Sequence, residues 1–482
     1  MSMNNGLAQL EKNLQHELSL LEIPAKDWVK PRYVGDAQLH DVVVIGAGMA
    51  GLTVAAALKF LGIKSLLLDR SPEGFEGPWA TTARMETLRS PKQLTGPALG
   101  IPSLTFRAWY VAQFGQEAWD VLDKIPRLQW MDYLRWYRKV TAPDIRNNHQ
   151  VLDVELHEDN YLVLTVQYQQ TVQKILARRL ILATGRDGLG GAALPAFVND
   201  IPRQYWAHSS DVFDYSTLKN KKVAVIGAGA SAMDSAATAL EEGAASVEML
   251  IRRKDIPRIN KGKGAGSPGL VHGYADLPDE WKWHFRHYIN KAQVPPPKGS
   301  TLRVSQHPNA FFNLDCAIEK LETTTNQQLA IHTSKGVFTV DFLFLATGFK
   351  IDWSLRPEYA RIAPLVRTWG DRFTAPEGED DKELSACPDL GKSFEFQAKA
   401  GVVAPVLSNV YCFSYPAVAS HGTVSGDIPA ISDGARAIAQ GIASSLFKED
   451  VDSYYTQLQA YADPELDGDE WQAALPPSQR TS

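Results

Sequence analysis

Leu7, Leu10, Leu14, Leu18 and Leu21 recur at helical spacing, which predicts an amphipathic helix that packs onto whatever follows. Its polar face is not basic, which argues against a membrane-surface helix. From residue 40 onward, short apolar runs alternate with glycine-rich turns and longer helical periods. Residues 40–45 read as a buried strand, 49–61 as a helix and 65–69 as a second strand. A stretch carrying Trp109, Tyr110, Trp119, Trp130, Tyr133, Trp136 and Tyr137 reads as helical, its rings serving as core packing or as a substrate wall. Further strands are expected at 151–156, 161–168 and 179–183, and a second strand–helix–strand unit over 222–252. The Gly/Lys-rich segment 261–269 and the prolines at 295–297 predict mobile loops, either a gate over a cleft or a plain surface excursion. A strand at 342–346, an acidic patch at 377–383 and a helix at 428–446 complete the pattern. Alternating strands and helices predict an α/β protein with parallel sheets.

Length and composition narrow the class. The 482 residues suggest two to four domains at ~100–200 residues each. Hydrophobic residues at 44% and charged residues at 22% match globular averages and argue against a disordered chain. A net charge of −6 offers no footprint for nucleic acid. Cys316, Cys387 and Cys412 are far apart, with no CxxC, which fits a reducing, cytoplasmic setting and excludes a dithiol centre of that type. The N-terminus lacks a basic-then-apolar signal pattern. The uncharged run 42–58 carries three glycines at turn spacing and is too short for a bilayer span. No metal-ligand pattern stands out. His284 and His287 lack further ligands at useful spacing and read as part of an aromatic surface face.

The candidate chemistry lies in two glycine-rich turns. The run Asp41-Val-Val-Val-Ile45 enters Gly46-Ala-Gly48-Met-Ala-Gly51 and an apolar helix. The first glycine allows a tight turn, the second a close backbone approach to a pyrophosphate, and the third close packing of helix on strand. The next strand ends in Asp69, 18 residues past Gly51, where a carboxylate can accept both hydrogen bonds of an adenosine ribose. The pattern repeats at Gly227-Ala-Gly229-Ala-Ser231-Ala232, with Ala232 in the third small position. Here the following strand ends in Arg252-Arg253-Lys254 instead of an acid. Those cations suit a 2′-phosphate, hence NADPH, although a solvated basic strand end would look the same. One turn with an acid and one with arginines suggest FAD plus NADPH.

With these motifs in place, the chain resembles the flavin-containing (class B) monooxygenases, flavoproteins with two dinucleotide-binding domains. Gly77-Pro-Trp79 is similar to the family's GGxW, and Leu88-Arg-Ser-Pro-Lys92 to the LxLPK stretch of its plant auxin-forming members. Leu182-Ala-Thr184-Gly185 and Leu345-Ala-Thr347-Gly348 resemble its two ATG hinges. His421-Gly-Thr-Val-Ser-Gly426-Asp427 resembles the segment whose helix faces the flavin pyrimidine, and His208-Ser209 the histidine–serine of the fingerprint FxGxxxHSxxY. The chain departs from that fingerprint at Pro202, Gln204 and Val212, lacks the Baeyer–Villiger HxxxW, and has Arg89 where animal-type enzymes carry asparagine. His208 therefore reads either as a linker residue or as part of cofactor gating.

The resemblance implies a fold of two Rossmann-like domains: a helical extension (1–38), an FAD domain in two parts (39–190 and 341–482) and an NADPH domain inserted at 195–340. It implies FAD held by Gly46, Gly48, Gly51, Asp69, Arg70, Trp79, Thr184, Gly185, Gly426 and Asp427. NADPH would be held by Gly227, Gly229, Ser231, Ala232, Arg252 and Arg253, and His208, Thr347 and Gly348 would be cofactor-binding as well. The implied reaction forms a C4a-peroxyflavin from O₂ and inserts one oxygen into a small organic substrate at N, S or a carbonyl. Arg89 or Lys92 would stabilise the peroxide charge, unless they bind phosphate or sit in surface ion pairs. An NADPH-dependent flavin reductase or oxidase would share both cofactor sites, as would a regulatory flavoprotein without turnover. A small-molecule substrate, O₂ and a second copy of the chain (a homodimer) are the candidate partners, with no nucleic acid and no membrane.

Overall fold

The computed structural model describes residues 3–424 and 426–480. Its first sheet has a parallel core ordered Asp144–Arg146, Ser65–Leu68, His40–Ile45, Thr171–Leu182, Val410–Cys412, the doubly wound order with its switch point between the third and fourth strands. The N-terminal half of Thr171–Leu182 also pairs antiparallel with Tyr161–Tyr168, which pairs with His149–His157. The central strands read Val-Val-Val and Leu-Leu-Leu because both faces are covered: Val42, Val43, Val44, Leu66, Leu67 and Leu68 are all buried. Helix Met49–Phe60 covers one face and packs on helix Ile431–Glu449.

A second, wholly parallel sheet is ordered Trp206–His208, Phe342–Leu345, Lys222–Ile226, Ser246–Leu250, Ala310–Asn313. Strand Phe342–Leu345, expected at the head of the returning FAD segment, pairs instead with Lys222–Ile226. The apolar run Phe-Leu-Phe-Leu is the reason, since it needs cover on both faces. A separate meander (Ile318–Thr323, Leu329–Thr333, Gly336–Val340) precedes it. The two sheets are joined by an antiparallel ribbon of Gly190–Ala192 with Phe349–Ile351.

The N-terminal helix, Met3–Leu20, buries Leu10 and Leu14 and packs on Phe106–Val121. The aromatic stretch forms that helix and Arg127–Thr141. Trp130, Tyr133 and Tyr137 are fully enclosed, and the phenols donate to the carbonyls of Leu104 (2.6 Å) and Pro97 (2.7 Å). Core packing is therefore their role. The segment expected as a mobile Gly/Lys loop forms two short helices, Lys261–Ala265 and Pro268–Gly273, because Asn260 and Ser267 cap them. The apolar run 42–58 is split into strand, turn and helix, and among the described residues no helix is long and apolar enough to cross a membrane. All three cysteines are buried and free.

The C-terminal end of helix Ile431–Glu449 closes the first sheet with charge. Arg178, 1% exposed by side chain, meets Asp450 (2.7 Å) and Glu449 (3.2 Å), and Arg179 meets Glu449 at 2.7 Å. Buried guanidiniums are tolerable only with such partners.

Candidate functional site

Each parallel sheet has a crevice at its switch point, where a glycine turn faces an Ala-Thr-Gly hinge. Gly46 has φ +103°, and a Cβ there would lie 2.4 Å from the Ala183 carbonyl oxygen. Gly227 repeats this, with φ +128° and 2.7 Å to the Ala346 carbonyl oxygen. Only glycine fits either position. At the third small position, a Cβ on Gly51 would fall 1.9 Å from the Gly46 carbonyl oxygen, and Ala232 is completely buried in the second unit. The helices that follow, Met49–Phe60 and Ala230–Glu241, start at Gly48 and Gly229 with no side-chain cap. Their first N–H groups are left for an anion. Ser231 is exposed on the first turn of the second helix.

Asp69 sits at the first crevice. One carboxylate oxygen accepts from Ala47 N (2.8 Å) and the other from Ser71 N (2.8 Å). Arg70 beside it is exposed. The Gly77 turn lies over the glycine loop, so that a Cβ on Gly48 would be 3.8 Å from Gly77 Cα. Trp79 continues that turn, set edge-on to Trp130 at 6.4 Å, and its carbonyl accepts from Arg127. The hinges use Thr184, whose buried Oγ1 has no partner among the described residues, and Thr347, whose Oγ1 donates to Ala193 O at 2.6 Å. Gly185 (φ +84°) and Gly348 (φ +79°) turn the chain into the ribbon. These residues fit a dinucleotide at each crevice: the backbone donors are free, and Gly229 has open space where a side chain would stand.

Three expected site residues stand elsewhere or differently. Lys92 does not reach the crevice. Its Nζ donates to the carbonyls of Trp119 (2.7 Å) and Asp120 (3.1 Å) and lies 5.1 Å from the Trp119 ring centroid. It caps the C-terminus of helix Phe106–Val121, where carbonyls lack intrahelical partners. We expect Lys92→Met to lower stability by about 1 kcal/mol, read as a lower unfolding midpoint, with NADPH use and product formation still coupled. Uncoupled release of H₂O₂ would return Lys92 to the reacting centre. His208 is likewise no cleft residue. It is 1% exposed, its Nδ1 is 2.7 Å from Ser210 Oγ, and its ring meets Phe349 edge-on at 5.6 Å. Burial pushes its pKa down. At the end of the second sheet, Arg252 is exposed, whereas Arg253 is half-buried and leans on the Lys291 carbonyl at 3.4 Å.

A group of charged side chains stands near the first hinge, brought together from segments far apart in sequence. Arg186 follows the first hinge and lies 4.1 Å over the ring of Tyr415, which follows strand Val410–Cys412 on the same sheet edge. Gly426 packs near that ring, and Asp427 follows it in the chain. Burial pushes the Asp427 carboxyl pKa up, opposed by the charges of Arg286, Arg186 and Arg89. Burial also raises Glu383, with Arg186 the leading opposing charge and Asp381 adding to the rise. Arg89 is exposed, and its Nη2 donates to Pro295 O at 2.7 Å. Sequence reasoning missed Arg186, Arg286, Glu383 and Tyr415. The signal available was the helix around His284, read as a surface face. That helix, Asp279–Ala292, in fact buries Lys282, Trp283 and Arg286. Its histidines meet the acidic patch, His284 Nδ1 at 2.8 Å from Glu379 and His287 Nδ1 at 4.0 Å from Asp381.

Comparisons with known proteins agree with this fold. Residues 43–265 match the family model described as pyridine nucleotide-disulphide oxidoreductase. The chain is 37% identical over 447 residues to an FAD-dependent urate hydroxylase of Xanthomonas campestris pv. campestris, covering 92% of this chain and 94% of that protein. Among solved structures, the ornithine N-hydroxylase of Kutzneria sp. 744, described with reduced FAD, NADP⁺ and L-ornithine, superposes with a TM-score of 0.65 at 16% identity, covering 84% of this chain and 99% of that one. The ornithine hydroxylase of Pseudomonas aeruginosa gives 0.66 at 16% identity, covering 85% and 100%.

Proposed function

We propose that this chain, which belongs to the class B flavin monooxygenases, is an FAD- and NADPH-dependent hydroxylase of a urate-like heterocycle. One observation carries the reading: both Ala-Thr-Gly hinges, each facing a glycine turn, lead into the same ribbon, Gly190–Ala192 with Phe349–Ile351. The full-length similarity to a urate hydroxylase supports the substrate class.

Gly46, Gly48, Gly51 and Asp69 would hold FAD, and Gly227, Gly229, Ser231 and Arg252 would hold NADPH. When bound and reduced by NADPH, the flavin supplies activated oxygen from O₂, one atom going to the substrate and the other leaving as water. The chain's own groups do the rest. The glycine turns fix the phosphates at helix N-termini, and the hinges hold the two crevices in register across the ribbon. The side chains of Arg89, Arg186 and Asp427 make the surroundings of the first hinge polar and charged. The family description names a disulphide chemistry, but the chain has no CxxC, and Cys316, Cys387 and Cys412 are all buried.

The test is turnover of urate with NADPH under ¹⁸O₂. One labelled oxygen in the product per NADPH consumed is the expected result. Stoichiometric H₂O₂ without labelled product would instead make the protein an oxidase.

A further inference from the structure

The ribbon that joins the two sheets has three residues on each strand, and a tie that short leaves two domains free to turn against one another. A second tie crosses between them. Arg303, on helix Lys298–Ser305 of the inserted domain, has a side chain 11% exposed. Its Nε and Nη2 donate to the two carboxylate oxygens of Glu241 at 2.8 and 2.7 Å, at the end of helix Ala230–Glu241. Its Nη1 lies 3.6 Å from Oδ1 of Asp234 on the same helix. That oxygen is buried and has no hydrogen-bond partner among the described residues. The same guanidinium reaches out of the inserted domain: Nη1 donates to the Arg84 carbonyl at 3.3 Å, and Nε is 3.7 Å from Glu86.

Arg84 reaches the other way. Its Cζ lies 5.3 Å over the ring of Tyr215, which stacks at 4.8 Å on Phe344 of the second sheet, and its Nη2 is 3.5 Å from the Phe213 carbonyl oxygen. Behind it, Arg127 fixes the segment to the first domain, donating from Nε to Met85 O at 2.9 Å and from Nη1 to Trp79 O. Trp79 continues the Gly77 turn that lies over Gly48. One run of contacts therefore links the helix behind the second glycine turn to the loop over the first. An ion pair this far from water is a costly way to pack two helices. What it supplies here is direction, since a planar guanidinium holds several acceptors in one fixed geometry.

We propose that Arg303 is a positioning residue for hydride transfer: by clasping helix Ala230–Glu241 to residues 84–86, it sets how the NADPH crevice faces the FAD crevice. It acts through that helix and that segment, not by contact with the coenzyme. The transfer carries two electrons and one proton from the nicotinamide to the flavin, leaving NADP⁺ and reduced FAD. Its rate depends on approach, and a misplacement of about 1 Å can cost on the order of 100-fold. The inference rests on the two-cofactor reading above and not on the urate assignment.

Anaerobic stopped-flow reduction of the FAD-loaded enzyme by NADPH tests this. Arg303→Met is expected to lower the limiting rate at saturating NADPH about 10- to 100-fold, while FAD content, NADP⁺ affinity and reduction by dithionite stay as in wild type. Arg303→Lys should recover only part of the rate, because an ammonium lacks the fork that meets Glu241 and Arg84 at once. An unchanged limiting rate in Arg303→Met overturns the clasp, and so does a loss confined to NADP⁺ affinity. Should Arg303→Met fail to fold, Arg84→Met decides, since it leaves Asp234 and Glu241 with their arginine. Slower reduction there at full NADP⁺ affinity supports the clasp, and an unchanged rate overturns it. A wild type that NADPH does not reduce overturns the clasp together with the two-cofactor reading. Slowed reduction in the variants while urate yields no labelled product keeps the clasp and defeats the urate reading alone.

Discussion

Replacing Gly48 with leucine is expected to give folded protein that lacks FAD. The position has room in the chain itself, since a Cβ there would meet nothing nearer than Gly77 Cα at 3.8 Å. Folding should therefore survive, and the added side chain falls where the pyrophosphate must approach the backbone. Losing that approach removes charge-assisted hydrogen bonds worth about 3 kcal/mol, or roughly two decades in affinity. Gly51→Leu provides the contrast, because its Cβ would fall 1.9 Å from the Gly46 carbonyl oxygen and should damage the fold itself. Absorbance at 450 nm and thermal unfolding, measured on both variants, separate the two effects. Full FAD occupancy in folded Gly48→Leu would move the flavin away from this turn.

The second large effect concerns coenzyme choice. Arg252 stands exposed at the end of strand Ser246–Leu250, while Arg253 is partly engaged with the Lys291 carbonyl. The free guanidinium is the one able to meet a 2′-phosphate. A charge-assisted pair of this kind is worth roughly 1.5–3 kcal/mol, so Arg252→Ala should cost NADPH about one to two decades of kcat/KM. NADH, which has no 2′-phosphate, should lose little, and Arg253→Ala should be the milder of the two changes. Steady-state kinetics with both coenzymes checks this. Equal losses for NADPH and NADH would assign Arg252 a structural role.

Much of the dinucleotide architecture could be read before any coordinates, because it is dictated by backbone geometry. Gly46 and Gly227 need positive φ and sit against a neighbouring carbonyl, and those demands restrict residue type strongly enough to mark the turns in sequence. The same holds for the hinge glycines Gly185 and Gly348. What stayed hidden depends on contacts between distant segments. Lys92 sits in a family-like LxxPK stretch, yet helix Phe106–Val121 ends within its reach and takes its ammonium. Arg286 looks like any helix-surface arginine until Glu379 and Asp381 latch the acidic patch onto that helix. Strand Phe342–Leu345 has an unmistakable apolar pattern, but only pairing shows which sheet receives it.

The interrupted first sheet has a consequence for biosynthesis. Thr171–Leu182 leaves the ribosome well before its parallel neighbour Val410–Cys412, an interval of roughly 10–50 seconds at ordinary translation rates. Throughout that interval the growing chain holds an unfinished sheet edge, while the inserted parallel sheet is completed first. Arg178 and Arg179 wait longer still, because Glu449 and Asp450 follow from the last long helix. Until then those arginines favour a hydrated, open sheet over a closed one. The burial of Arg178 and Arg179 is thus completed only once the segment carrying the late carboxylates has been made.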